Sequence, residues 1–133
     1  MEDALPLALK VVAGEPPHKR VSSQTRAFAV LVVGQFGKAE HVDRLEPLLQ
    51  DASVCQPAQM PTNAVQVRDV ALVVMLQLTD QRPADYGYIN ARSQGRNLQI
   101  QSLFRENDAQ RAEAIAKWKA WRAEQKAAAA KGS

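Results

Sequence analysis

The chain has a single cysteine, Cys55, two histidines, and aromatic residues at only 5% of its 133 positions. One thiol excludes an internal disulfide and a zinc site built from several thiolates. His18 and His41 are 23 positions apart, which is not a metal-ligand spacing. No apolar run approaches the roughly 20 residues that a membrane-spanning helix needs. The opening stretch, "MEDALPLALKVVAGEPPHKR", begins acidic and is interrupted by Pro6 and Lys10, so it reads as neither a signal peptide nor a membrane span. The expectation is a soluble chain, cytoplasmic in preference to secreted, or one that begins downstream of a removed signal.

A strong excess of either charge is missing too, since 17 Lys and Arg against 14 Asp and Glu leave a net charge of +3. A nucleic-acid role would therefore have to come from a local patch, not from the field of the whole protein. The 46% hydrophobic and 23% charged residues fit one globular domain with enough chain for a core.

What is present is apolar density in four places: Leu5 to Ala13, Val21 to Phe36, Val42 to Leu49 and Val65 to Leu78. A polar, turn-rich region follows from Thr79 to Asn107, and the end, "NDAQRAEAIAKWKAWRAEQKAAAA", is strongly helix-forming. Asn107 with Gln110 resembles a capping box. The stretch "VLVVGQFGKAEH" can be read as a buried strand entering a phosphate loop or as the end of a buried helix and a turn. "AVLVV" and "VALVVML" are β-branched enough for either. Each sits in a stretch of about fifteen residues, longer than an ordinary strand, which favours helix. A helix apolar on all sides suits an element held between layers.

An internal echo supports the helical reading. "QTRAFAVLVVGQF" (24–36) against "QVRDVALVVMLQL" (66–78) aligns Gln24 with Gln66, Arg26 with Arg68, Ala29 with Ala71, Val32 with Val74 and Gln35 with Gln77, an offset of 42 residues. Helical repeats of the HEAT and armadillo kind recur at roughly 40–47 residues. Arg26, Ala29, Gly34, Phe36 and Gly37 resemble the first helix of a HEAT repeat. "HVDRLEPLLQD" (41–51) is similar to the second helix, with Val42, Leu45, Leu48 and Leu49 on one face. Val67 and Arg68 restart the pattern without the two glycines. The resemblance implies an all-α, short HEAT-like solenoid or two-layer repeat domain of about five helices.

The chain departs from that pattern in two places. Asp51 is followed by "ASVCQPAQMPTNAVQ", which Pro57 and Pro61 mark as a loop, with Asn63 able to cap the next helix. Pro83 and Gly87 make the second helix of repeat two a poor one. The organisation expected is a partial repeat or N-terminal helix at 1–14, repeat one at 21–51, the first helix of repeat two at 63–80, an irregular insertion at 81–106, and a C-terminal helix at 107–130 that takes the missing slot. Two repeats and a fragment are short for a solenoid, so a piece of a longer repeat protein is one reading and a compact domain the other.

Candidate chemistry is sparse. A P-loop needs Gly-x-x-x-x-Gly-Lys followed by a hydroxyl residue. Gly34, Gly37 and Lys38 are two residues too close together, and Ala39 replaces the hydroxyl. Gly34 is better read as permitting close helix packing and Gly37 as a left-handed helix terminator. Cys55 with His41 or His18 forms no defined nucleophile pair, and Asp80 and Asp85 stand in turn-forming surroundings. No catalytic, cofactor or metal residue is assigned, and no cofactor, small-molecule substrate or membrane is expected. Arg26 and Arg68 are expected to make one stacking contact twice.

Two surfaces remain. On the C-terminal helix Arg111, Lys119, Arg122 and Lys126 share a face with Trp118 and Trp121 beside it. They either snorkel around packed rings or present a basic, aromatic surface to an acidic partner or to single-stranded nucleic acid. The insertion carries Tyr86, Tyr88, Arg92 and Arg96, residue types favoured at interfaces. The function expected is a non-catalytic protein-interaction or scaffolding module, with binding through the basic helix, or service as an accessory domain of a larger enzyme, as the alternatives.

Overall fold

In the computed structural model the described residues are 4–13, 22–56, 65–88, 91, 93–94, 97–98, 103 and 108–132. They are mostly helical, with five α-helices: α1 (Ala4–Ala13), α2 (Ser23–Phe36), α3 (Val42–Leu45), α4 (Val67–Leu78) and the long α5 (Asp108–Gly132). Val30 to Val33 are helical, so the strand reading of "VLVV" is excluded.

Two short antiparallel ladders depart from the all-α expectation: β1 (Val54–Gln56) with β2 (Val65–Gln66), and β3 (Ser93–Gln94) with β4 (Asn97–Leu98). The first ladder lies within the segment expected to be only a loop, and it has a clear physical use. Val67 and Arg68 open α4, where helix N–H groups lack internal partners. Their N–H groups donate to the Ser53 and Asp51 carbonyls at 2.9 Å each. Pro57, Pro61 and Asn63 lie outside the described residues, as does Asn107.

The expected second helix at 41–51 is broken. A single α-turn, α3, lies between 3₁₀ turns at Ala39–His41 and Glu46–Gln50. Pro47 has no N–H to continue an α-helical ladder, so the chain tightens there. Its apolar face is nonetheless as expected: Val42, Leu45, Leu48 and Leu49 are all buried.

α4 is the centre of the molecule. Ten of its twelve residues are buried, and it packs against α2, the Glu46–Gln50 turn and α5. α2 is different despite its similar sequence. It buries Ala27, Ala29, Val30, Val33 and Gly34, yet leaves Phe28 66% exposed, so it lies at a face of the core and not inside it. Gly34 faces α4: a Cβ there would come within 3.1 Å of Val74 Cγ1. Gly37 departs from its expected left-handed conformation, with φ −86° and ψ −177°. A Cβ on Gly37 would meet the Val33 carbonyl oxygen at 2.4 Å, so glycine is required for the close approach of the backbone.

A buried ion pair joins α4 to α5. Asp69, 1% exposed, accepts from Arg111 Nε at 2.9 and 3.1 Å, from the Tyr88 hydroxyl at 2.8 Å and from the Gln66 N–H at 2.9 Å. Burial pushes the Asp69 carboxyl above its ordinary value, against those donors, which lower it. The cost of desolvating both charges cancels much of their attraction, so the pair is a weak net source of stability and a strong constraint on partners.

Removing one member leaves the other charge buried alone. Asp69→Ala and Arg111→Ala should each cost about 3–5 kcal/mol, whereas the apolar double variant Asp69→Leu/Arg111→Met should cost far less than their sum. Urea denaturation of the four proteins measures this.

Candidate functional site

Of the sequence candidates for nucleophilic chemistry, His18 lies outside the described residues, and Cys55 and His41 each have a structural partner. Cys55 is buried in β1 and its thiol donates to the Val65 carbonyl at 3.4 Å. Burial, with the Asp69 charge adding to it, pushes this thiol up to about 11. His41 Nδ1 accepts from the Lys38 N–H at 2.9 Å, closing the turn after α2. Lys38 therefore belongs to a capped turn. Among the described residues no group of three His, Cys, Asp or Glu side chains is placed to hold a metal ion. No helix among them is long and apolar enough to cross a membrane.

Arg26 and Arg68, expected to make one contact twice, reach Asp51 differently. Arg26 Nε donates to the Asp51 carboxylate at 2.9 Å, while Arg68 uses its backbone N–H on the Asp51 carbonyl and turns its side chain to Gln66. Burial alone would raise the Asp51 carboxyl, but the Ser53 N–H and Arg26 hold it below its ordinary value.

Two of the four cations on the basic face of α5 are used internally. Arg111 is buried against Asp69, so it is not part of an outer cationic stripe. Arg122 donates to Asp43 at 2.7 Å and to Glu46 at 3.2 Å; the Arg122 hydrogen bond holds the Asp43 carboxyl below its ordinary value. Such a partly exposed pair contributes about 0.2–1 kcal/mol. Lys119 and Lys126 are exposed. Trp118 is fully buried and Trp121 packs beside it, ring centroids 5.2 Å apart and tilted by 33°. The tryptophans pack on the body as the snorkelling reading expects, but Arg111 does not snorkel: its guanidinium is buried on Asp69.

The two tyrosines of the insertion are also internal. Tyr88 is 3% exposed and bound to Asp69; Tyr86 is 6% exposed, and its hydroxyl donates to Gln81 Oε1 at 2.6 Å. Neither is the exposed partner-binding ring expected, because each is buried with its hydroxyl held inside the protein, Tyr88 on Asp69 of α4 and Tyr86 on Gln81 just past its end. Arg92 and Arg96 lie outside the described residues.

A groove opens where the insertion meets α5. It has a volume of about 630 Å³, with Asp80, Asp85 and Tyr86 on one wall and Lys117, Trp121 and Glu124 on the other. A smaller extension of about 230 Å³ continues past Gly87 and Glu113. The insertion wall is set by local chemistry. The Thr79 hydroxyl donates to the Met75 carbonyl at the end of α4, Gln81 Nε2 donates to Thr79, and Tyr86 donates to Gln81. Asp80 takes φ 58°, a left-handed position that Asp tolerates better than most residues, and Gly87 takes φ 91° after a 3₁₀ turn from Pro83. Lys117 closes the two walls, donating to the Asp85 carbonyl at 2.5 Å with its ammonium 4.8 Å from the Tyr86 ring centre.

Sequence reasoning missed Asp69, Lys117 and Glu124. A signal for Asp69 was available: a lone acid in "VRDVALVVML", three residues after Gln66, must be buried on a helix apolar all round. Lys117 and Glu124 gave no signal, because only the fold of the insertion sets them against Asp80 and Asp85. No protein-family description, no curated protein and no solved structure matches the chain.

The Cys55 environment is directly testable. A thiol raised to about 11 is kept protonated by the fold, so its contribution to stability is whole below the ordinary thiol value and falls as pH rises towards the folded one. Native protein at pH 8 should react with iodoacetamide at least tenfold more slowly than urea-unfolded protein, as mass spectrometry would show.

Proposed function

We propose that the protein is a non-catalytic interaction or scaffolding module, a short HEAT-like arrangement of helices, whose contact surface is the groove between residues 80–87 and α5. The observation that carries this reading is the groove itself: an open concavity with a tryptophan in its wall, a residue type enriched at interfaces, surrounded by charges that suit a polar rim. The HEAT-like part draws support from α2 lying against α4 through Gly34 and Val74. Nucleic acid is the weaker alternative, because Arg111 and Arg122 already answer carboxylates of the chain.

A photo-crosslinking residue at Ala120, exposed in the groove, tests the placement. In cells that make the protein it should capture a partner that the same residue at exposed Gln50 does not. The same species at both positions, or none at Ala120, would refute the groove as the contact surface.

A further inference from the structure

We infer that the groove receives an arginine side chain from an extended segment of the protein partner, a refinement that rests on the interaction reading above. The first observation is sign. Around the groove and its extension the described carboxylates are Asp80, Asp85, Glu113 and Glu124, against the cations Arg82 and Lys117. Lys117 is already engaged by the Asp85 carbonyl and the Tyr86 ring. The groove is therefore locally acidic on a chain of net charge +3. Complementarity selects a cationic segment and repels an acidic one.

The second observation is independent of charge. Trp121 lines the groove, is half-buried and packs beside the fully buried Trp118, so its ring is held and loses little freedom when covered. A planar guanidinium can stack on an indole while its N–H fork reaches neighbouring carboxylates in two directions. An ammonium offers a point charge without the plane. Aromatic face and flanking acids together thus fit arginine better than lysine. The volume of about 630 Å³ lies within the roughly 300–1,000 Å³ of sites that enclose a ligand of several groups, enough for the side chain and its adjoining backbone.

Acetylated tetra-arginine amide is a suitable probe, titrated into ¹⁵N-labelled protein while the indole N–H signals are followed. Trp121 should shift more than Trp118, with tetra-lysine binding several-fold more weakly. The variant Asp80→Asn/Asp85→Asn/Glu124→Gln changes only exposed side chains, and Asn retains tolerance of the Asp80 backbone. It should bind the arginine peptide at least tenfold more weakly, while Trp121→Leu should abolish the preference for arginine over lysine. Unchanged affinity in the triple variant, or equal binding of the two peptides by the wild type, would overturn the inference. Crosslinking at Ala120 that persists in the triple variant would leave the interaction reading standing and remove this one alone.

Discussion

The carboxylate of Asp69 gathers donors from three separate parts of the chain: the Gln66 N–H before α4, the Tyr88 hydroxyl after it, and the Arg111 guanidinium on α5. All three converge on the one carboxylate. Arg111 is almost wholly enclosed, and a buried guanidinium without a carboxylate would cost several kcal/mol. The stability of the junction comes from elsewhere. Complete burial of Trp118 removes some 150–250 Å² from water, worth roughly 4–6 kcal/mol at 25 cal/mol per Å² before entropy is charged against it. The apolar contact holds α5 down, and the ion pair dictates where along α4 it sits.

That placement produces the groove. With Arg111 fixed on Asp69 and Arg122 on Asp43 and Glu46, α5 is tied at two points eleven residues apart. Eleven residues span about 16 Å of helix, so the stretch between them runs along a defined line. Lys117, Trp121 and Glu124 fall on or just beyond this stretch and face the hydrogen-bonded turn at Thr79 to Gly87. A shift of α5 by one turn would separate Lys117 from Asp85 and open the wall. Tyr88 and Tyr86 support the same turn from inside, which is why two residues that suggested a binding face are found beneath it.

Much of the architecture was legible because it depends on local pattern. The length and repetition of the apolar runs pointed to α2 and α4, the density of α4 pointed to a sandwiched helix, and the composition of the end pointed to α5. Distant pairing was not legible. Arg111 was grouped with the lysines by angle, although Ala114, Trp118 and Trp121 mark the buried face, and Arg111 precedes Trp118 by seven positions on that face. An internal arginine demands an acid, and Asp69 on the most buried helix was the candidate. The β1–β2 ladder was hidden because its strands are two or three residues long and are held by tertiary hydrogen bonds. Gly37 was correctly read as a glycine position for the wrong reason, since close approach to the Val33 carbonyl leaves no trace in sequence pattern.

Both tryptophans lie on α5 while Cys55 lies in the body, so the two regions report separately without labels. Urea unfolding of the Asp69→Asn variant, followed in parallel by tryptophan fluorescence and by Cys55 alkylation, is the most direct test that the Asp69 junction holds α5 in place. If it does, the tryptophan transition of the variant will move to lower urea and precede exposure of the thiol, whereas the two coincide in the wild type. Coincident transitions in the variant at the wild-type midpoint would contradict the account.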